Sequence, residues 1–239
     1  MLMDTLIIIP TYREVENLRI LVPQIMTISP NLHLLIVDDD SQDGTYQLVG
    51  KFKSDYGQRV ELLTRQTDPS YAASLLQGMS FAIKLGYEAI IQMDADGSHP
   101  PSEILDLVNT SGDVVIGSRY MKGAKVKSVP LLRRVYSIIG NVYISIRWRS
   151  KLRDKTNGFR LFRGNALKAL SNFETTTTGF AIQIEILRYL NIQNSIVITE
   201  IPTVFNFREI GSSKFNLMKL YEAFQSTNNI LKKYKKKDL

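Results

Sequence analysis

The chain has 239 residues, 44% of them apolar, which suffices for one large domain or two small ones around a sizeable core. It contains no cysteine, which excludes disulfides, thiolate metal sites and a cysteine nucleophile. The formal net charge of +7 suits phosphorylated substrates or an anionic membrane face; no recognition-helix pattern or aromatic-interleaved basic strand accompanies it, so nucleic acid is not expected as a partner.

Residues 6–9 read as a buried strand stopped by Pro10, and 14–28 carry helical spacing at Val15, Leu18, Leu21, Val22 and Ile25. A second buried strand, 33–37, runs into an acidic turn over 38–45. The pattern then predicts a helix at 46–56, a strand at 60–64, a helix at 74–85, a strand at 89–93, a short helix at 101–109 and a strand at 114–116. Apolar strands alternating with helices imply a mostly parallel central sheet with helices on both faces. Beyond these lie a largely apolar helical stretch at 131–148 flanked by arginines, a short strand and helix within 158–170, a helix at 178–191 and a strand at 196–207. Leu217, Leu220, Tyr221, Phe224 and Leu231 share one helical face before a tail in which five of residues 232–237 are lysine. No internal repeat or linker divides the chain. The first residues lack a basic n-region, and no apolar stretch approaches the roughly 20 residues that span a bilayer, so the expectation is a cytoplasmic protein.

The segment Ile90-Ile91-Gln92-Met93-Asp94-Ala95-Asp96-Gly97-Ser98-His99-Pro100 is the most informative. An apolar run ends in two carboxylates spaced i, i+2, and Gly97 and Pro100 turn the chain. Strand side chains alternate, so both carboxylates are expected on one face at the C-terminal edge, where open α/β sheets bind ligands. Like charges side by side call for a cation, and hard oxygen donors suit Mg²⁺ or Mn²⁺ bridging a diphosphate. Two more strand ends, Pro10-Thr11-Tyr12-Arg13-Glu14 and Asp38-Asp39-Asp40-Ser41, reach the same edge, where Asp39 can accept hydrogen bonds from a base or ribose. There is no G-x-G-x-x-G and no Walker A pattern, which leaves a nucleotide held through metal and carboxylates. His99 is expected to be a turn residue rather than a ligand.

At these positions the chain resembles the family 2 inverting glycosyltransferases, in particular their polyprenyl-phosphate sugar synthase branch of dolichyl-phosphate mannose synthase-like enzymes. The resemblance covers roughly residues 5–215 and rests on the three motifs above together with Gly117-Ser118-Arg119-Tyr120 and Asp154-Lys155-Thr156-Asn157-Gly158-Phe159-Arg160. Gly179-Phe180 with Gln183 and Glu185, and Glu200-Ile201-Pro202 followed by Arg208, Gly211, Ser213 and Lys214, complete it. It implies a single α/β domain of the GT-A type over 1–215, with residues 216–239 as an amphipathic C-terminal helix and basic tail.

The resemblance also assigns roles. Pro10, Tyr12, Glu14, Val37, Asp39, Asp94 and Ala95 would line the nucleotide pocket, and Asp94 and Asp96 would hold diphosphate through Mg²⁺ or Mn²⁺. Arg119, Arg133, Ser137 and Asn141 would face the acceptor phosphate, with Gln183 and Glu185 near the sugar. Arg208 and Lys214 would belong to a loop that closes over the phosphates. The implied catalytic set is Asp96, Arg119, Glu185, Arg208 and Lys214. The implied partners are a nucleotide sugar (GDP-mannose or UDP-glucose, mannose favoured) and a polyprenyl phosphate. The sequence departs from the branch at Ser70-Tyr71-Ala72-Ala73-Ser74, where a glycine-rich loop is usual, and at Ser98, where some relatives carry an amide. Glycine's absence restricts φ > 0 conformations and bears on the donor sugar.

The 131–148 helix is too short and too arginine-flanked to cross a bilayer. It is expected to lie at a membrane surface, with Trp148 near the headgroups and the lysine tail as a second contact. That places the enzyme peripherally on the cytoplasmic face, with room for a membrane-embedded partner subunit. Two other readings are open: a hydroxyl acceptor with Glu185 as general base, and a non-catalytic nucleotide-sugar-binding scaffold.

Overall fold

The computed structural model describes residues 3–175, 177, 179–206 and 217–234. Its first half alternates strand and helix: β1 (Thr5–Thr11), α1 (Val15–Met26), β2 (Leu32–Asp38), α2 (Thr45–Tyr56), β3 (Val60–Thr64), α3 (Tyr71–Lys84) and β4 (Ala89–Gln92). These four strands pair in parallel in the order β3-β2-β1-β4. Helix α4 (Ile104–Asn109) leads to β5 (Val114–Ser118), and β7 (Arg160–Arg163) inserts antiparallel between β4 and β5. Strand β8 (Ile198–Pro202) closes the sheet parallel to β5. Only β7 opposes the common direction, so the C-terminal ends of the other six strands share one edge.

Alternation along β1 supplies both cores. Ile7 and Ile9 pack under α1, α2 and α4 with Leu18, Val22, Phe52 and Leu107. Leu6 and Ile8 pack on the opposite face with Leu75 and Met79 of α3 and Ile186 of α7 (Ile182–Asn191). Each such fully buried side chain contributes about 1.5–3 kcal/mol. Helix α3 lies directly on β1, because a Cβ on Gly78 would stand 2.5 Å from Ile8 Cγ2.

Three expectations change. The carboxylate pair does not sit on a strand: β4 ends at Gln92, so Asp94 and Asp96 lie in the turn beyond it. The single strand expected over 196–207 is two, β8 and β9 (Val204–Asn206), the latter paired with a three-residue β6 (Lys125–Lys127). The break follows Pro202, which has no N–H to carry the ladder on, and Glu103 accepts the Val204 amide at 2.9 Å and the Thr203 hydroxyl there. Finally, α5 (Leu131–Trp148) forms as expected, but Trp148 is buried under the Arg188 guanidinium, 5.5 Å from its ring centroid, and does not reach the surface.

Helix α8 (Leu217–Lys233) packs on α5 and α7. The Tyr143 hydroxyl donates to Asn228 Oδ1 at 2.6 Å, Arg188 donates to the Tyr234 carbonyl at 3.0 Å, and Ile230 is fully buried in the core.

Candidate functional site

A cavity of about 300 Å³ opens at the C-terminal edge of the sheet. Its walls include Pro10, which does not stop β1 but lies inside it, Tyr12 and Glu14 just after β1, Asp39 after β2, Tyr71 on α3, and Asp94, Ala95 and Asp96 after β4. Six of the seven residues expected around the nucleotide therefore meet here; the seventh, Val37, is fully buried in the core beneath and does not line the cavity.

Local chemistry fixes the loops. Ser41 Oγ accepts the Arg13 amide at 2.8 Å, and Asp43 Oδ2 accepts the Val15 amide at 3.1 Å, tying the acidic turn to the start of α1. Arg13, Asp40 and Gln42 all adopt positive φ, a backbone cost concentrated in the loops after β1 and β2. Asp39 is held from three sides: Arg65 and the Ser74 hydroxyl (2.6 Å) bind Oδ1, and the Ser70 amide donates to Oδ2 at 2.8 Å.

Asp94 accepts hydrogen bonds on both oxygens. The Tyr71 hydroxyl donates to Oδ1 at 2.8 Å, and His99 Nε2 lies 3.2 Å from Oδ2. His99 is fully buried, stacks on Phe159 at 5.2 Å, and leaves Nδ1 without a partner among the described residues. Burial pushes the Asp94 carboxyl up, but His99 and Tyr71 outweigh it and hold it below the usual carboxylate range. Burial, then the Asp94 charge, push the Tyr71 phenol well above its ordinary value, so it stays a donor at any working pH. Asp96 sits on the ridge between this cavity and a second of about 620 Å³ beside α1, and its Oδ1 accepts the Ser98 amide at 3.0 Å.

The residues expected at the acceptor phosphate form an internal network. Arg119 makes a two-pronged pair with fully buried Asp154 (Nε 2.7 Å, Nη2 2.8 Å) and donates to Thr156 Oγ1 at 2.6 Å. Asn141 donates to Thr156 Oγ1 at 3.0 Å and accepts the Lys155 amide at 2.8 Å, while Ser137 shares a hydrogen bond with the Tyr120 hydroxyl at 2.7 Å. The Arg133 side chain, Arg208 and Lys214 lie outside the described residues.

Gln183 and Glu185 part company. Gln183 donates to the Tyr71 hydroxyl at 2.6 Å, beside the cavity. Glu185 is fully buried and faces α8, where it pairs with Lys233 at 3.0 Å and accepts from Thr175 at 2.7 Å and Tyr234 at 3.2 Å. It does not line the cavity.

Residues 6–171 match the family described as Glycosyl transferase family 2. The chain belongs to this family. It is 36% identical over 222 residues to polyprenol monophosphomannose synthase of Mycolicibacterium smegmatis, covering 92% of this chain and 83% of that protein. It is 33% identical to undecaprenyl-phosphate mannosyltransferase of Micrococcus luteus, over 90% of this chain and 88% of that one. With dolichol-phosphate mannosyltransferase of Pyrococcus furiosus it shares 30% identity over 96% of this chain and 64% of the other. Within family 2 it therefore falls in the polyprenyl-phosphate sugar synthase branch. Its fold matches glucosyl-3-phosphoglycerate synthase of Mycobacterium tuberculosis, solved with Mn²⁺, UDP and glucosyl-3-phosphoglycerate. That match has a TM-score of 0.67 at 11% identity and covers 97% of this chain and 80% of that one.

In this glycosyltransferase the donor set fits a divalent cation of the Mg²⁺ or Mn²⁺ kind. Asp94 and Asp96 offer hard oxygens, and no cluster of three His, Cys, Asp or Glu side chains stands ready among the described residues. Such ions are typically held by one or two carboxylates with substrate phosphates and water completing the shell.

The sequence reading assigned no role to four residues that the fold brings here. Arg65 directly follows β3, and a basic residue at a third strand end was a signal of the same kind as Asp39. Tyr71 stood out only as a departure from glycine. Phe180 stacks on it at 4.3 Å and is 69% exposed. Arg160 is fully buried, donating to the Gln183 and Lys155 carbonyls, and burial pushes it down to about 10.

Proposed function

We propose that this glycosyltransferase moves mannose from a nucleoside diphosphate sugar to a polyprenyl phosphate, with inversion, and requires Mg²⁺ or Mn²⁺. The observation that carries the reading is the meeting of Asp39, Asp94 and Asp96 around one cavity at the sheet edge, in a chain whose relatives bear the three names given above. The cavity takes the nucleoside diphosphate, and Asp94 and Asp96 would hold the cation. When bound, that cation neutralises charge developing on the departing diphosphate, and Arg119 adds positive charge near Asp94 from its place over the Phe205 ring. A lipid monophosphate is already an anion near neutral pH, so alignment for one displacement matters more than a general base. The burial of Glu185 against Lys233 supports that acceptor over a hydroxyl one, since the nearest base candidate is committed to α8.

The test is transfer from radiolabelled GDP- and UDP-sugars to polyprenyl phosphate in detergent. Labelled lipid from a mannose donor is the expected product. Transfer only to water-soluble hydroxyl acceptors would overturn the reading, and donor binding with no transfer to any acceptor would favour the scaffold.

We further read the protein as peripheral on the cytoplasmic face of a membrane. Among the described residues no helix is long and apolar enough to span one. Leu131, Val135, Ile138, Ile139, Val142 and Ile146 form an exposed apolar stripe along α5, with exposed Arg134, Arg147 and Arg149 beside it. Such a face suits the interface, and cations near an anionic cytoplasmic leaflet contribute about 1 kcal/mol each. Ile139→Glu with Val142→Glu should abolish flotation with anionic vesicles and leave the melting temperature unchanged. Equal flotation of variant and wild type would remove α5 from the contact. If the wild type does not float, a membrane-embedded partner subunit becomes the better explanation.

A further inference from the structure

We propose that Tyr71 is the positioning residue that aims Asp94 at the cation and diphosphate, an inference that rests on the metal-assisted reading above. The helix start that carries it is fixed independently, because Asp39 binds the Ser70 amide and the Ser74 hydroxyl on either side. Ser70 is extended and caps α3 through the Ala73 amide, so this stretch has no backbone need for glycine and a large side chain can stand there.

The hydroxyl of Tyr71 is fully used. It accepts from Gln92 Nε2 at 3.0 Å and from Gln183 Nε2 at 2.6 Å, which fills both lone pairs. Its one proton then has a single destination, Asp94 Oδ1 at 2.8 Å. On the side away from the cavity the junction is tightly packed: a Cβ on Gly158 would stand 3.0 Å from Gln183 Nε2, 3.3 Å from Gln92 Nε2 and 3.4 Å from Asp94 Oδ1.

The chemistry of the donor matters as much as its place. An arginine or lysine gripping Asp94 would neutralise it and compete with the cation. A phenol orients the carboxylate and leaves its negative charge for the ligand. Partners that orient a metal ligand in this way typically change metal affinity by about 10–100-fold.

Tyr71→Phe keeps the ring and the stack on Phe180 and removes only the hydroxyl. Mn²⁺ binding in the presence of GDP or UDP, read from the electron paramagnetic resonance of free Mn²⁺, should weaken by roughly 10–100-fold. Metal-free nucleotide binding should weaken far less than Mn²⁺ binding does, and the circular dichroism spectrum should not change. Tyr71→Gln, which restores a neutral donor, should recover part of the affinity, and it is the variant to rely on if the phenylalanine protein does not fold. Wild-type Mn²⁺ affinity in Tyr71→Phe would overturn the proposal, as would an equal loss of metal-free nucleotide binding. Asp96→Asn runs beside it: if that variant also binds Mn²⁺ normally, the metal-assisted function fails, whereas loss in Asp96→Asn alone defeats only the role of Tyr71.

Discussion

Asp96→Asn is expected to slow sugar transfer by roughly 10³-fold, the equivalent of about 4 kcal/mol of lost charge stabilisation. The substitution suits the question because the Asp96 oxygen that accepts the Ser98 amide at 3.0 Å has a counterpart in asparagine. The turn after β4 keeps its hydrogen bond, and only the negative charge is lost. Asp94 cannot replace it, because Tyr71 and His99 fix that carboxylate in one orientation. Asp96 lines both cavities, whereas Asp94 lines one. Chelation of the metal should abolish wild-type transfer, and raising Mg²⁺ should recover Asp96→Asn in part. Transfer by this variant within about tenfold of wild type at the Mg²⁺ concentration that just saturates wild type would show that Asp96 does not hold the cation.

The parallel half of the fold was legible because each strand declares itself locally. The apolar runs before Pro10 and Asp38 are short, uninterrupted and followed by helical spacing, and they become β1 and β2. The second half was not, because its pairing depends on distant residues. Nothing in Arg160-Leu161-Phe162-Arg163 says that it will enter the sheet backwards between β4 and β5. Nor does the 196–207 run show that Glu103, about a hundred residues earlier in the chain, will bind Thr203 and Val204 where it breaks.

The site divides in the same way. Asp39, Asp94 and Asp96 were readable because strand ends in a parallel sheet converge whatever their separation. Hydrogen-bond partners were not: Arg119 and Asp154 are 35 residues apart, and a free arginine looks the same in sequence as one already paired. One inconsistency was visible beforehand. Gln183 and Glu185 are two apart on a helix and cannot face the same ligand; the fold turns Gln183 to the Tyr71 hydroxyl and Glu185 to α8.

Asp154→Ala is expected to destabilise the protein by about 3–5 kcal/mol, because removing one partner leaves a mostly buried guanidinium without its counter-charge. The loss reaches further than one ion pair. Asp154 also accepts the backbone amides of Arg119 (3.0 Å), Thr156 (3.2 Å) and Asn157 (3.1 Å), so it ties the end of β5 to the loop before β7. For a chain of this length the melting temperature should fall by roughly 6–20 °C. A double-mutant cycle separates the parts: once Arg119 is replaced by methionine, removing Asp154 should cost measurably less. The pH dependence has a defined sign. Burial pushes the Asp154 carboxyl up, but the Arg119 charge and the hydrogen bonds from Arg119 and Thr156 hold it below its unfolded value of 3.8. Its stabilising contribution is therefore complete at neutral pH and is lost as pH falls from 3.8 through the lower folded value. Melts of wild type and Asp154→Ala should lie far apart at neutral pH and converge in acid. A gap that stays constant with pH would mean that Asp154 acts through shape rather than charge, and that Arg119 is free to serve the acceptor phosphate without it.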